Sequence, residues 1–260
     1  MQEFRHAICR FNDTLHIILP FGIEGFLVFT DEDVPEGFYL AQWFLQIVRS
    51  NMGKVFKICI GSFQIGQCPV ESLFRQLADA SLEWRAYEQG IPSGCFTGSS
   101  ARAAPDGPGA AGAYARKHDP AISFTSVSGN AAQCADIQPL RAFDPVKGAF
   151  AFITPNLIND MHDGSVAQGD AFLRDVVPLI TASPAFATGV LFITFDEGSS
   201  NAGSHGDGGG HIATLIVAPR IRAGTRVATY TDHFSLLRTT QELLGLPCLA
   251  KSCERTAITY

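Results

Sequence analysis

From residue 70 onward the spacing of apolar positions changes several times, and each change predicts an element. Leu73, Phe74 and Leu77 lie at helical spacing between Ser72 and Ala80, and Leu82, Trp84 and Ala86 then alternate with polar residues as a strand does. A Gly-, Ala-, Pro- and Ser-rich stretch from Gly90 to Ala113 predicts a long loop without regular structure. Phe150 to Thr154 is a short apolar run closed by Pro155 and Asn156, and Ala171 to Ile180 returns to helical spacing with Pro178 near its end. Val190 to Phe195 and Ile212 to Val217 read as buried strands. A last helix is predicted from about Ser235 to Leu244, stopped by Gly245, Leu246 and Pro247. In the first sixty residues Gly25 to Phe29 and Val55 to Ile60 read as strands and Leu40 to Val48 as a helix, so this segment can join the same sheet. Alternation of strand and helix predicts an α/β fold, a mostly parallel sheet with helices on both faces.

Composition narrows the picture. At 260 residues the chain only slightly exceeds the usual ~100–200 residues per domain, so a single domain spanning 1–260 is expected. Apolar residues make up 46% and charged residues 17%, enough for a sizeable core and incompatible with a disordered chain. Nineteen basic and 25 acidic residues give a net charge of −6 with no basic block, which argues against nucleic acid as a partner. The apolar stretch from Leu15 to Phe29 is interrupted by Pro20, Gly22, Glu24 and Gly25, so no membrane span is expected, and no secretory signal is visible near Arg5 and Arg10. The 7 cysteines contain no CxxC pair, which argues against a zinc knuckle. Cys248 and Cys253 flank a short loop and can close a small disulfide, which would imply an oxidising compartment; two unpaired thiols are the alternative.

In a parallel sheet the working residues sit in loops beyond the carboxyl ends of the strands. Two such loops carry unusual chemistry here. One runs from Pro155 to Gly164 and holds Asp160, His162 and Asp163; the other follows the strand at Val190 to Phe195 and holds Asp196 and Glu197. Adjacent carboxylates repel unless a cation or donors offset the charge, so Asp196 and Glu197 read either as a hard-metal site or as a solvated acidic turn. The second loaded loop favours the metal site. His162 is suited to ligating a metal or donating to a charged substrate, or is simply an exposed loop histidine. The Gly-rich stretch from Asn201 to His211 permits close approach of a ligand or forms a surface hairpin. Arg116, Lys117 and His118 form the one concentrated positive patch, suited to phosphate oxygens or, as an isolated triplet, a solvated surface cluster.

Taken together, Tyr114 to Pro120 (YARKHDP), Pro155 to Gly164 (PNLINDMHDG), Gly169-Asp170, Phe192 to Gly198 (FITFDEG) and Asp232 to Thr239 (DHFSLLRT) with Gly245 to Pro247 resemble a known group. It is the phosphoesterase family of bacterial acid phosphatases and phosphatidylcholine-type phospholipases C, within the alkaline-phosphatase-like superfamily. The resemblance spans roughly Gly61 to Cys253, with residues 1–60 divergent. It implies an alkaline-phosphatase-like α/β/α fold and a metal-dependent hydrolase acting on a small phosphate ester or phospholipid headgroup. A divalent cation would be held by Asp196 and Glu197, His162 and His118 would contact or protonate the ester, and Lys117 would hold phosphate charge, with Asp160 and Asp163 at the substrate. Members of the family are typically secreted or periplasmic.

Upstream the pattern departs from the family. Members open with a strand ending in Glu-Asn, which supplies two metal ligands, and then present the nucleophile before a Gly-Ser-Thr-Gln-Gly turn. Gly61 to Gly66 (GSFQIG) resembles that turn, but no Glu-Asn occurs anywhere in this chain, and Arg49 to Gly53 matches the nucleophile segment loosely. Ser50 is the candidate nucleophile by position, with Asp31 or Asp33 as substitute ligands. Two alternatives follow: a catalytically impaired member that binds phosphate or a partner, and a sulfate-ester hydrolase. If the enzyme reading holds, Asp196 and Glu197 should close a central strand with the His162 loop beside them.

Overall fold

A computed structural model describes residues 71–102, 106–109, 111–198 and 210–260. The strands and helix expected before residue 61, Ser50, Asp31 and Asp33, and the turn at Gly61 to Gly66 lie outside the described residues. Packing divides the described residues into two units, taken separately here: 71–194 with 213–260, and the short stretches 195–198 and 210–212. Among the described residues no helix is long and apolar enough to cross a membrane.

Helix α1 (Leu73–Asp79) begins where Ser72 accepts a hydrogen bond from the Arg75 amide, a cap worth about 1 kcal/mol, and buries Phe74 and Leu77. Strand β1 (Trp84–Glu88) follows and forms the middle of a three-stranded parallel sheet. Further on, β2 (Ser100–Ala101) pairs antiparallel with β3 (Tyr114–Ala115), so the predicted loop from Gly90 to Ala113 contains one short strand. Two single-turn helices, α2 (Thr125–Ser128) and α3 (Ala131–Cys134), lead into β4 (Ile137–Pro139). Both β4 and β5 (Phe150–Thr154) run parallel to β1, with Ala86 opposite Ile137 on one side and Trp84 through Glu88 opposite Phe150 through Thr154 on the other.

Alternation along β1 divides the core into two. Trp84 and Ala86 point to the face covered by Phe74, Leu77, Val127 and Cys134, whereas Tyr87 points to the opposite face, where Phe172 and Val176 of α4 (Val166–Thr181) pack with Leu140. Helices therefore cover both faces of the parallel sheet, as the alternating pattern predicts. Helix α4 starts five residues before the expected Ala171. Its first turn, Val166 to Gly169, exposes its Val, Ala and Gln and shows no apolar period, and the start is set instead by a capping box between Ser165 and Gln168.

The last strands depart from expectation. Strand β6 (Leu191–Thr194) pairs antiparallel with β7 (Thr214–Val217), and Leu215 is 54% exposed where a buried strand was expected. A parallel pair needs a crossover, usually helical, and the Gly-rich connection between these strands shows no helical pattern. An apolar run also reports only that a strand can be covered, not that it is.

Helix α5 (His233–Leu243) is capped by Asp232, whose carboxylate accepts the Ser235 amide at 2.8 Å and the Arg255 guanidinium at 2.7 Å. Burial alone would raise this carboxyl, but Arg255 and Ser235 outweigh it and hold Asp232 below its ordinary range. The helix ends at Gly245, whose φ of +67° is the left-handed conformation favouring glycine. The C-terminal segment then docks on α1: Ser252 donates to buried Gln241, Gln241 donates to Gln76, and Gln76 donates to the Pro247 carbonyl. Among the described residues two disulfides are formed. Cys248–Cys253 is the pair its spacing allowed, and Cys95–Cys134, which nothing in the spacing indicated, ties the loop after β1 to α3.

Candidate phosphoester site

At the carboxyl ends of β1 and β5 the sheet meets the segments that carry Lys117, His118, Asp160, His162 and Asp163. Strand β3 delivers residues 116–118 as a single 3₁₀ turn. Asp119 clamps that turn from beneath: its carboxylate accepts the Tyr114 hydroxyl at 3.1 Å and the Ile122 amide at 3.2 Å. Burial pushes Asp119 up to about 6, against the pull of those donors, and burial likewise pushes the Tyr114 hydroxyl upward so that it remains a donor.

The loop after β5 is held from inside. Asn156 turns back on itself, its Oδ1 accepting the amides of Ile158 and Asn159. Gln89, one residue past β1 and buried, accepts the Asn156 amide at 3.1 Å and the Asn159 side-chain amide at 2.9 Å, and donates to the carbonyls of Asp106 and Pro108. A side chain at Gly164 would run into the Ile158 carbonyl, and one at Gly169 of α4 would meet Met161 at 2.7 Å. These glycines let the loop fold tightly over the helix. Met161 itself takes a φ of +72°.

This scaffold sets two imidazoles 6.0 Å apart, centroid to centroid. His118 Nδ1 lies 3.1 Å from Asp160 Oδ2, and the other oxygen of Asp160 accepts the His162 amide at 2.8 Å. His162 Nδ1 is 2.8 Å from Asp163 Oδ1, and its Nε2 faces Lys117 Nζ at 3.5 Å. The Asp163 carboxylate on Nδ1 of His162 favours the tautomer that carries its hydrogen there, which leaves the Nε2 of that ring as the accepting atom; Asp160 Oδ2 stands near His118 Nδ1 without the alignment of a hydrogen bond. His118 and Asp160 are largely covered, at 21% and 17% exposure; His162 and Asp163 are about half exposed.

Asp196 and Glu197 follow β6 in the chain and are both exposed. Next to them Gly198 leaves room for the backbone of His211, whose carbonyl oxygen would stand 2.8 Å from a Cβ there. Two adjacent carboxylates fit one side of a hard-cation shell. Among the described residues no group of three or more His, Cys, Asp or Glu side chains is arranged to hold a metal ion. Ser50 lies outside the described residues.

Beneath His118 stands a residue that the sequence reading passed over. Glu88, the last residue of β1, is 1% exposed, and its Oε1 lies 3.0 Å from the hydroxyl of Thr154, its register partner on β5. Burial and the nearby Asp119 carboxylate raise Glu88 well above the usual carboxylate range, against the opposing pull of Thr154. A signal was present: two polar residues, Glu88 and Gln89, close an apolar strand at the edge where parallel sheets keep their chemistry.

The model of the Phosphoesterase family matches residues 61–247. Among known proteins, the phosphatidylinositol-3-phosphatase of Mycobacterium tuberculosis is 29% identical over 69% of this chain and 56% of its own length. An acid phosphatase of Aspergillus fumigatus is 28% identical over 53% of this chain and 32% of its own length, and a phosphate-repressible acid phosphatase of Penicillium chrysogenum is 27% identical over 65% and 41%. The chain thus covers between about a third and just over half the length of these relatives.

Proposed function

Because the chain belongs to the phosphoesterase family, we propose that it hydrolyses phosphoric esters, with a phosphomonoester as the substrate class, and that the paired imidazoles do the proton work. The observation that carries this reading is the cluster at the ends of β1 and β5, where His118 and His162 each have a carboxylate on Nδ1 and Lys117 stands beside them. The Lys117 ammonium attracts the non-bridging phosphate oxygens. Nε2 of His118, after taking up a proton from solvent, gives it to the departing alcohol oxygen, and His162 contacts the phosphoryl group. Asp160 and Asp163, expected at the substrate, act in this reading by orienting the two rings.

Ser50 is proposed as the nucleophile on the family resemblance. Its hydroxyl would lose its proton to solvent and form the new bond to phosphorus as the ester oxygen leaves as the alcohol, and water would then cleave that bond to return the serine hydroxyl and free phosphate. Asp196 and Glu197 are proposed to hold a divalent cation, which when bound would offset charge on the transferring group. The relatives' names favour a phosphatase over a phospholipase C. The missing Glu-Asn pair keeps a second reading in play, a phosphate-binding member without turnover.

Phosphate release from an aryl phosphate with added divalent cation tests both readings. Turnover is expected to fall about 10²- to 10⁴-fold in His118→Ala and to drop when excess chelator is added. Unchanged turnover in His118→Ala sinks the proton role. A wild type that binds inorganic phosphate, loses it in Lys117→Ala and releases none from the ester establishes the binding module instead.

A further inference from the structure

We infer that Glu88 is a positioning residue of this site: as a neutral carboxylic acid it donates its proton to Thr154 Oγ1, which passes its own hydrogen to the His118 carbonyl. The chain of bonds pins the backbone of the imidazole-bearing turn to the ends of β1 and β5. The inference rests on the reading that His118 works on the phosphoester.

Hydrogen counting carries the argument. Thr154 Oγ1 lies 3.0 Å from Glu88 Oε1 and 3.3 Å from the His118 carbonyl oxygen. A carbonyl only accepts, a carboxylate only accepts, and a hydroxyl has one hydrogen. With Glu88 ionised, Thr154 can satisfy one of the two and leaves the other unmet. With Glu88 protonated, both contacts are bonds and they run in one direction, from the acid through the hydroxyl to the backbone.

The surroundings agree with the neutral form. Glu88 is buried, its Oε2 has no hydrogen-bond partner, and among the described residues no basic side chain pairs with it. The charged group that faces it is Asp119, a carboxylate already held by Tyr114 and Ile122, whose charge opposes a second one nearby. Burial pushes Glu88 in the same direction. Raising the pH until Glu88 ionises would draw the Thr154 hydrogen to the carboxylate and release the His118 carbonyl, loosening the turn without removing any group that touches substrate.

Infrared difference spectra of the full chain read the proton directly, and kinetics read its consequence. A buried protonated-carboxyl stretch is expected in the wild type at neutral pH and is expected to vanish in Glu88→Gln. Glu88→Ala and Thr154→Val are expected to lower kcat about 10- to 100-fold with KM little changed, as a displaced catalytic group does. Glu88→Gln donates to Thr154 through its amide and cannot ionise, so it should recover most of the loss and should lack the wild type's decline at high pH. Absence of the stretch in the wild type, or a Glu88→Gln variant as impaired as Glu88→Ala, overturns the inference. Thr154→Val, which keeps the side-chain volume, serves if Glu88→Ala does not fold. If the wild type hydrolyses no ester, the phosphoester reading fails, and the infrared band together with the His118 ring signals in Thr154→Val still decides whether Glu88 is neutral and coupled to His118.

Discussion

Asp119 shows how one buried carboxyl couples the site to pH. In the unfolded chain it releases its proton near the ordinary value of about 4, and in the folded protein burial keeps the proton on until about 6. Between those values the folded state binds more protons than the unfolded state, so stability is fully present below about pH 4 and declines as the pH rises through about 6. The decline is on the order of 3 kcal/mol for this group alone. Melting temperatures measured between pH 4 and 6 should therefore fall with rising pH, and Asp119→Asn should flatten that slope while lowering stability overall. A wild-type stability that rises steadily across this window contradicts the assignment. Residues of this kind were half visible in the sequence. His118, His162, Asp160 and Asp163 stand out because polar residues crowd loops that follow strands. Glu88 and Asp119 do not, because their importance comes from burial, which depends on what other segments cover them.

Gln89 stitches elements together. Its side chain bonds the loop after β5 through Asn156 and Asn159 and the Gly-rich segment through Asp106 and Pro108, all from the end of β1. Replacing it with Ala leaves several polar groups without a partner in a buried place, each costing about 1–3 kcal/mol. Gln89→Ala is expected to destabilise the protein by roughly 3 kcal/mol or more in denaturant titrations and to weaken turnover as the His162 loop loosens. A variant with native stability means that water or a rearranged loop replaces the amide. At this scale the sequence was informative where period and caps coincide, as at Ser72 and at Gly245. It was silent where they part: α4 begins at a capping box with an exposed first turn that has no apolar period, and the antiparallel, half-exposed pairing of β6 with β7 could not be read because apolar runs carry neither direction nor cover.

Across the molecule, covalent links reinforce a parallel sheet clothed by helices. Cys95 and Cys134 are 39 positions apart and Cys248 and Cys253 are 5 apart, so chain-entropy arguments assign about 4 and about 2 kcal/mol to them respectively. Melting with and without reductant should show a substantial drop, with Cys95→Ser and Cys134→Ser together accounting for more of it than the Cys248 and Cys253 pair. Equal effects from the two pairs would show that strain or residual structure, rather than loop length, sets their worth. The longer bridge was out of reach of the sequence because it joins a loop to a helix that only the fold brings together.

The docking of the C-terminal segment on α1 has a consequence in time. Leu246 shares a core with Phe74 and Leu77, and Gln241 is bonded to Gln76, so the helix that is made early is completed by residues made more than 160 positions later. During synthesis at roughly 5–20 residues per second, α1 waits many seconds on the ribosome with its apolar face uncovered. A chain cut short before α5 would keep the histidine cluster in its sequence yet lack the partner that seals α1. Ribosome-bound intermediates of this protein should therefore engage chaperones until the last helix emerges.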